Sequence, residues 1–145
     1  MLIKKRDRVL VIRYSNLKGI NCMEKHLEVL NDLNYVWFGK IGSKPRKSFL
    51  DMLAENETNY LILNSKEESY FCTFDRVNYT LPQEGGIPPY YKDTFLDKGV
   101  QFSIFFRIIT TVKIDKHTLD NFVVASSANN LNNAINLSMA SHFLA

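Results

Sequence analysis

Two cysteines in 145 residues, Cys22 and Cys72, are too few for a disulfide framework. Free thiols in a reducing compartment are the simpler reading. No apolar run approaches the ~20 residues a membrane-crossing helix needs. The basic start, Lys4, Lys5, Arg6 and Arg8, leads into an apolar run that is short and broken by Arg13, which is not a signal-peptide pattern. A cytoplasmic location with no membrane partner is therefore expected. A glycine-rich phosphate loop is missing too: Gly85-Gly86 lacks the following lysine and helix, and Gly39-Lys40-Ile41-Gly42 lacks the other glycines. Ser65, Ser126 and Ser141 have no nucleophile-elbow context. Internal repeats and low-complexity tracts are absent.

Apolar content of 46% and charged content of 23% are ordinary for a globular chain, and the length fits one domain spanning residues 1–145. Charge is where the sequence departs from the ordinary. The net charge is +3, but residues 1–50 carry 11 Lys/Arg against 4 Asp/Glu, and residues 51–145 carry 7 against 11. A basic first third fits a face that meets a polyanion, and equally a face charged for solubility.

Arg8 to Tyr14 is a β-branched run that reads as a buried strand. Ile20, Met23, Leu27, Leu30 and Leu33 recur at helical spacing over Asn21–Leu33, with Asn21 and Glu24 set as a capping pair and Asn34 as the exit. A strand through Trp37 follows, then a short helix opened by Lys44-Pro45-Arg46. Asn59–Asn64 and Tyr70–Leu81 read as a hairpin about a charged turn at Ser65–Ser69. Pro82–Gly99 is the longest irregular segment, and loops of that length in compact domains are usually functional or disordered. Val100–Ile114 is a long central strand, Thr118–Ala125 a helical turn or a strand, 129–137 a third helix, and Ser141–Leu144 a closing strand. Strands dominate and helices are short. The expected class is α+β, with a strongly curved mixed sheet or small barrel flanked by two or three helices.

The stretch Tyr35-Val36-Trp37-Phe38-Gly39-Lys40-Ile41-Gly42 holds the only tryptophan. Adjacent strand residues point to opposite faces, so one of Trp37 and Phe38 should face the core and the other be free to line a surface. An aromatic face followed by Lys40, Lys44, Arg46 and Lys47 supplies what a nucleobase and its phosphates need. In the long loop, two prolines set Tyr90 and Tyr91 where they can close over a pocket. The catalytic candidates are thinner. Cys22 and His26 share a helix face, but a metal site needs more ligands at matched spacing, and Cys72, His117 and His142 stand alone. Asp75 could pair with Glu84 or Asp93 in a hydrolase, although no spacing selects either.

Taken together, Val11-Ile12-Arg13-Tyr14-Ser15-Asn16, the following helix, the Tyr35-Val36-Trp37 strand, Ile87-Pro88-Pro89-Tyr90-Tyr91 and Phe102–Ile114 resemble the PUA-like superfamily, in particular its EVE and YTH branches. The resemblance implies a sheet curved into a barrel with a basic face and an aromatic pocket. Domains of this kind take up a flipped-out or single-stranded base, often methylated, and EVE-like domains occur in modification-dependent restriction systems. By that resemblance Trp37 matches the first cage tryptophan. Tyr14, Ser15 and Asn16, with Arg13, match the segment that meets the base edge, and Tyr90 and Tyr91 supply the opposite wall. The second tryptophan common in methyl-adenine cages has no counterpart. Arg13, Lys18, Lys40, Lys44, Arg46 and Lys47 are the candidate phosphate contacts.

The resulting expectation is a non-enzymatic module, with no cofactor or metal, that binds a base in nucleic acid, DNA ahead of RNA. The closing strand ends within a residue of the last position, so the chain reads as the specificity domain of a larger restriction or defence protein of the McrBC type, fused to or associated with a nucleotide-hydrolysing or nuclease module. An RNA-binding PUA-like protein, a small hydrolase or nuclease built on Asp75, and a protein-interaction module are the alternatives. Trp37→Ala is expected to weaken base binding while the fold survives.

Overall fold

The computed structural model describes residues 9–14, 19–41 and 59–115, and the backbone of residues 142–144. The helices expected at residue 44 onward and at 129–137, and the segment 118–125, lie outside the described residues.

Six strands and two helices are described: β1 (Val9–Arg13), α1 (Cys22–Leu33), β2 (Val36–Ile41), β3 (Asn59–Asn64), β4 (Ser69–Asn78), α2 (Tyr90–Thr94), β5 (Phe102–Ile114) and β6 (His142–Leu144). A single 3-10 turn, Leu96–Lys98, follows α2. The ladder runs β2-β5-β4-β3-β1-β6 and is open among the described residues. Its pairing is mixed: β1 is parallel to β3 and antiparallel to β6, and β2 is antiparallel to β5. The class is α+β, with an open mixed sheet and short helices.

The chain divides into two compact units, each assembled from separate stretches of sequence. The first takes residues 1–15, 45–72 and 111–145, so it holds β1, β3, β6, the start of β4 and the end of β5. Its centre is the parallel pair β1/β3, in register from Val9↔Tyr60 to Arg13↔Asn64. Val9 to Ile12 and Tyr60 to Asn64 are buried without alternation. That pattern belongs to strands covered on both faces, and it explains why Val-Leu-Val-Ile and Tyr-Leu-Ile-Leu are continuous apolar runs. Each such side chain contributes about 1.5–3 kcal/mol by burial. Ser65 closes the β3–β4 turn, its N–H donating to the Glu68 carbonyl at 2.9 Å.

The second unit takes residues 16–44 and 73–110, and so holds α1, β2, α2, the end of β4 and most of β5. Helix α1 begins where its caps dictate. Asn21 Oδ1 accepts the Glu24 N–H at 3.1 Å, and Asn34, at φ 67°, ends the helix by donating its N–H to the Leu30 carbonyl at 2.8 Å. Its buried stripe is Cys22, Met23 and His26, and Leu33 in the last turn is 47% exposed. The apolar spacing thus located the helix but not its buried stripe: of Ile20, Met23, Leu27, Leu30 and Leu33 only Met23 is buried, and Cys22 and His26 are buried with it.

Both faces of β2 are covered. Phe38 lies 5.2 Å from the His26 ring of α1, and Trp37 packs with Tyr91 and Phe105 on the other side. The expectation that one of Trp37 and Phe38 would be free for a surface is corrected: their exposures are 0% and 6%. The alternation held, but alternation says nothing about whether the second face is covered. Gly39 sits mid-strand for a steric reason. A Cβ there would lie 2.5 Å from one Phe102 ring carbon and 2.9 Å from Phe105, so only glycine lets those rings cross the strand. The segment Pro82–Gly99 is less irregular than its composition suggested, since it contains α2 and the 3-10 turn.

Candidate functional site

In the second unit, Trp37, Tyr90 and Tyr91 come together as expected, but as core. Trp37, Tyr91 and Phe105 form a buried cluster against which Tyr35, Ile87, Tyr90, Phe95 and Phe102 pack. Tyr91 stacks on Phe102 at 4.9 Å and meets Tyr90 edge-on at 5.0 Å. Trp37 and Tyr91 therefore do not wall an open pocket. The covering piece is the Gly85-Gly86 turn. The Gly86 carbonyl accepts the Trp37 backbone N–H at 2.9 Å. A Cβ on Gly86 would fall 2.4 Å from Tyr35 Cε2 and 3.3 Å from Trp37 Cδ1, and its φ of +85° suits glycine alone. The two glycines read in the sequence as a failed phosphate loop are a strap laid on two aromatic rings.

One polar path threads this core. His26 Nδ1 is 2.7 Å from the Cys22 carbonyl, which can only accept, so Nδ1 carries the proton. Nε2 of the neutral ring then accepts from the Tyr91 hydroxyl at 2.9 Å, and the Tyr91 oxygen accepts the Gly39 N–H at 3.1 Å. Burial pushes His26 down to about 4 and Tyr91 upward, so both are neutral at pH 7. The Cys22/His26 pair is thus used through a backbone carbonyl, as structure. Among the described residues no group of three His, Cys, Asp or Glu could hold a metal ion. In contrast, Trp37 Nε1 is buried with no acceptor among the described residues. An unmet donor of that kind costs ~1–3 kcal/mol.

Asp75 is also committed. Arg107 donates to both its oxygens, at 2.8 and 2.6 Å, and that bonding holds the Asp75 carboxyl below its ordinary range. The Arg107 guanidinium lies 5.3 Å from the Tyr35 ring centroid and pairs with Glu84 at 3.6 Å. A carboxylate held this way is a poor general base or metal ligand. Lys40 is placed against its expected role as a phosphate contact. Strand β2 runs on through it to Ile41, leaving it 4% exposed, and burial lowers its ammonium below the usual lysine range.

The first unit holds the other described candidates, Arg13 and Tyr14. They leave the carboxyl end of β1, beside the carboxyl end of its parallel neighbour β3. Arg13 is exposed and Tyr14 half-buried. The Tyr14 hydroxyl donates to Glu68 Oε1 at 3.1 Å, and its N–H to the Asn64 carbonyl at 2.9 Å. Tyr70 donates to Glu68 Oε2 at 3.2 Å, and Lys113 Nζ lies 3.5 Å from the same oxygen. Asn64, Ser65 and Ser69 are buried polar residues at the same strand ends, with Ser69 donating to Asn64 Oδ1. Burial, then the Glu68 charge, raises both Tyr14 and Tyr70, so they remain neutral donors. Sequence reasoning missed Asn64, Glu68, Ser69, Tyr70 and Lys113. Glu68 was legible only as a turn carboxylate, since its partner Tyr14 lies 54 positions away. Ser15, Asn16, Lys18, Lys44, Arg46 and Lys47 lie outside the described residues.

Among the described residues no helix is long and apolar enough to cross a membrane. No protein-family model matches the chain, and no curated protein matches its sequence.

Proposed function

We propose that this chain is a nucleic-acid-binding module that contacts a base at the carboxyl ends of β1 and β3. The observation that carries this reading is Tyr14: a half-buried ring, pinned through its hydroxyl to Glu68, next to the exposed Arg13. In open α/β sheets ligands sit outside the carboxyl ends of the parallel strands, and the parallel pair β1/β3 of this mixed sheet offers an edge of the same kind. A fixed phenol ring there offers a stacking surface worth ~1–3 kcal/mol per base. Arg13 adds a cation for a neighbouring phosphate, and the basic character of residues 1–50 fits a polyanion partner.

The resemblance to EVE and YTH domains supports a narrower version. In it the partner is DNA ahead of RNA, the base is modified and extruded, and the module gives specificity to a restriction or defence assembly. Extrusion costs a few kcal/mol, which stacking on Tyr14 and hydrogen bonds to the base edge must offset. In this reading Trp37, Tyr90 and Tyr91 support the fold of the second unit and are not the base cage.

The test is an anisotropy titration with labelled single-stranded and duplex DNA and RNA, with and without methylated bases. Tyr14→Ala should weaken binding about tenfold, consistent with the loss of one stacked base. Arg13→Ala should weaken all sequences alike and reduce the salt slope by about 1. Unchanged affinity in both variants would place the site elsewhere.

A further inference from the structure

We propose that residues 83–86 form a hinged strap over the Trp37 indole, latched at Glu84 by two arginines, and that the strap lifts as a local unit while the sheet beneath it stays folded. The inference is independent of the base contact assigned to Tyr14, since strap and indole belong to the second unit.

The strap is fixed at its ends and lightly held between them. Pro82 is buried before it; after it, Ile87 packs against the Trp37 cluster and Pro88 is buried. Gln83, Glu84, Gly85 and Gly86 supply no apolar side chain to hold the turn down. Gly85 and Gly86 sit at φ +88° and +85°, a region glycine enters and leaves without steric cost, so the pair can act as the hinge. The remaining holds are polar, and in each the strap accepts. The Tyr35 hydroxyl donates to the Glu84 carbonyl at 3.1 Å, and the Trp37 N–H to the Gly86 carbonyl at 2.9 Å. The Glu84 carboxylate meets Arg76 at 3.4 Å on Oε1 and Arg107 at 3.6 Å on Oε2. Arg107 is itself tied to Asp75 and lies against the Tyr35 ring, so it is a post with little freedom of its own.

The closed position carries a built-in cost. Trp37 Cδ1, the carbon bonded to Nε1, lies under Gly86, where a Cβ would fall 3.3 Å from it. With the strap down, Nε1 is buried and has no acceptor among the described residues. Lifting the strap admits water to that edge of the ring and satisfies the donor. The Glu84 ion pairs oppose the lift, and they are soft: the Glu84 side chain is 38% exposed, and ion pairs at such positions are weak and screened by salt. A cover serving only as packing would send an apolar side chain into the core. This one lays backbone on the ring and is held there by charge, which places its opening at the low-stability end of the unit.

Native-state hydrogen exchange by NMR tests this on the unaltered protein. The probes are the Trp37 backbone N–H and indole N–H, and the reference is the Phe38 amide, whose residue pairs with Phe106 in the sheet. Both Trp37 protons should open at least about tenfold more often than the Phe38 amide, with no response to low urea, the mark of local opening. Added salt should speed both about threefold relative to Phe38, as expected from releasing exposed ion pairs. Glu84→Gln, checked for folding by its thermal melt, should give the same rise without salt and lose the salt response. Arg76→Gln, which removes one pair at a half-exposed position, should give a smaller rise. Trp37 protons that exchange at the Phe38 rate, with the same urea dependence, would show that the strap opens only on unfolding and overturn the proposal. Fast Trp37 exchange that salt and both variants leave unaltered would overturn the latch.

Discussion

Two aromatic clusters in this chain are put to opposite uses. Around Trp37, rings are packed against rings, and the polar groups of His26, Tyr91 and Gly39 are paired with one another inside the core. Around Glu68, two tyrosines are tied by their hydroxyls to a partly exposed carboxylate, with Arg13 exposed beside them. The richer cluster is sealed in the core of its unit, and the sparser one is the proposed base contact. Ring count alone therefore does not mark a binding site: the ring-rich cluster is the buried one.

The sharpest way to break the comparison is Trp37→Ala. Removing a fully buried indole should cost about 3–5 kcal/mol in urea unfolding, and oligonucleotide affinity of the remaining folded protein should not change. Trp37→Phe should cost less, because it also removes the unmet Nε1 donor. A large affinity loss in Trp37→Phe, with stability intact, would turn the packing cluster back into a cage.

Acid is the next lever. His26 binds a proton in the unfolded chain below the ordinary value of 6.5, but in the folded protein only near 4. The unfolded state therefore holds more protons in between. Stability is fully present above pH 6.5 and is lost as pH falls toward 4, by about 3 kcal/mol in all. Denaturant midpoints measured between pH 7 and 4 should follow that slope, and His26→Phe should flatten it.

Smaller effects probe the strap and the anchor. Gly86→Ala forces a side chain against Tyr35 at a φ of +85° and should cost ~1–3 kcal/mol, with the single tryptophan becoming more readily quenched by acrylamide. Tyr14→Phe removes one hydrogen bond to Glu68 and should cost ~1 kcal/mol, read as a lower urea midpoint. On the proposed reading, tryptophan emission in the wild-type protein should be unchanged by added oligonucleotide, since the indole is buried in the packing cluster.

What was legible in the sequence was what local chemistry decides. Asn21 and Asn34 mark the ends of α1 because capping is a matter of three or four neighbouring residues. The strands β1, β3 and β5 announce themselves as β-branched and aromatic runs. What stayed hidden depends on residues far apart. Nothing near Trp37 foretells that Gly86 will lie across it, and nothing near His26 points to Tyr91, 65 positions on. Lys40, expected as a phosphate contact, follows a glycine that does not end the strand: Gly39 is a gap that two phenylalanine rings fill. Tyr14 could be placed at a strand end, but Glu68, which accepts its hydroxyl, could not be matched to it from spacing.

The most direct test of the central claim is one titration of a labelled single-stranded oligonucleotide against Tyr14→Ala and Trp37→Phe side by side. Affinity about tenfold weaker in Tyr14→Ala and unchanged in Trp37→Phe is the predicted result. The reverse pattern, Trp37→Phe weakened and Tyr14→Ala intact, would contradict it.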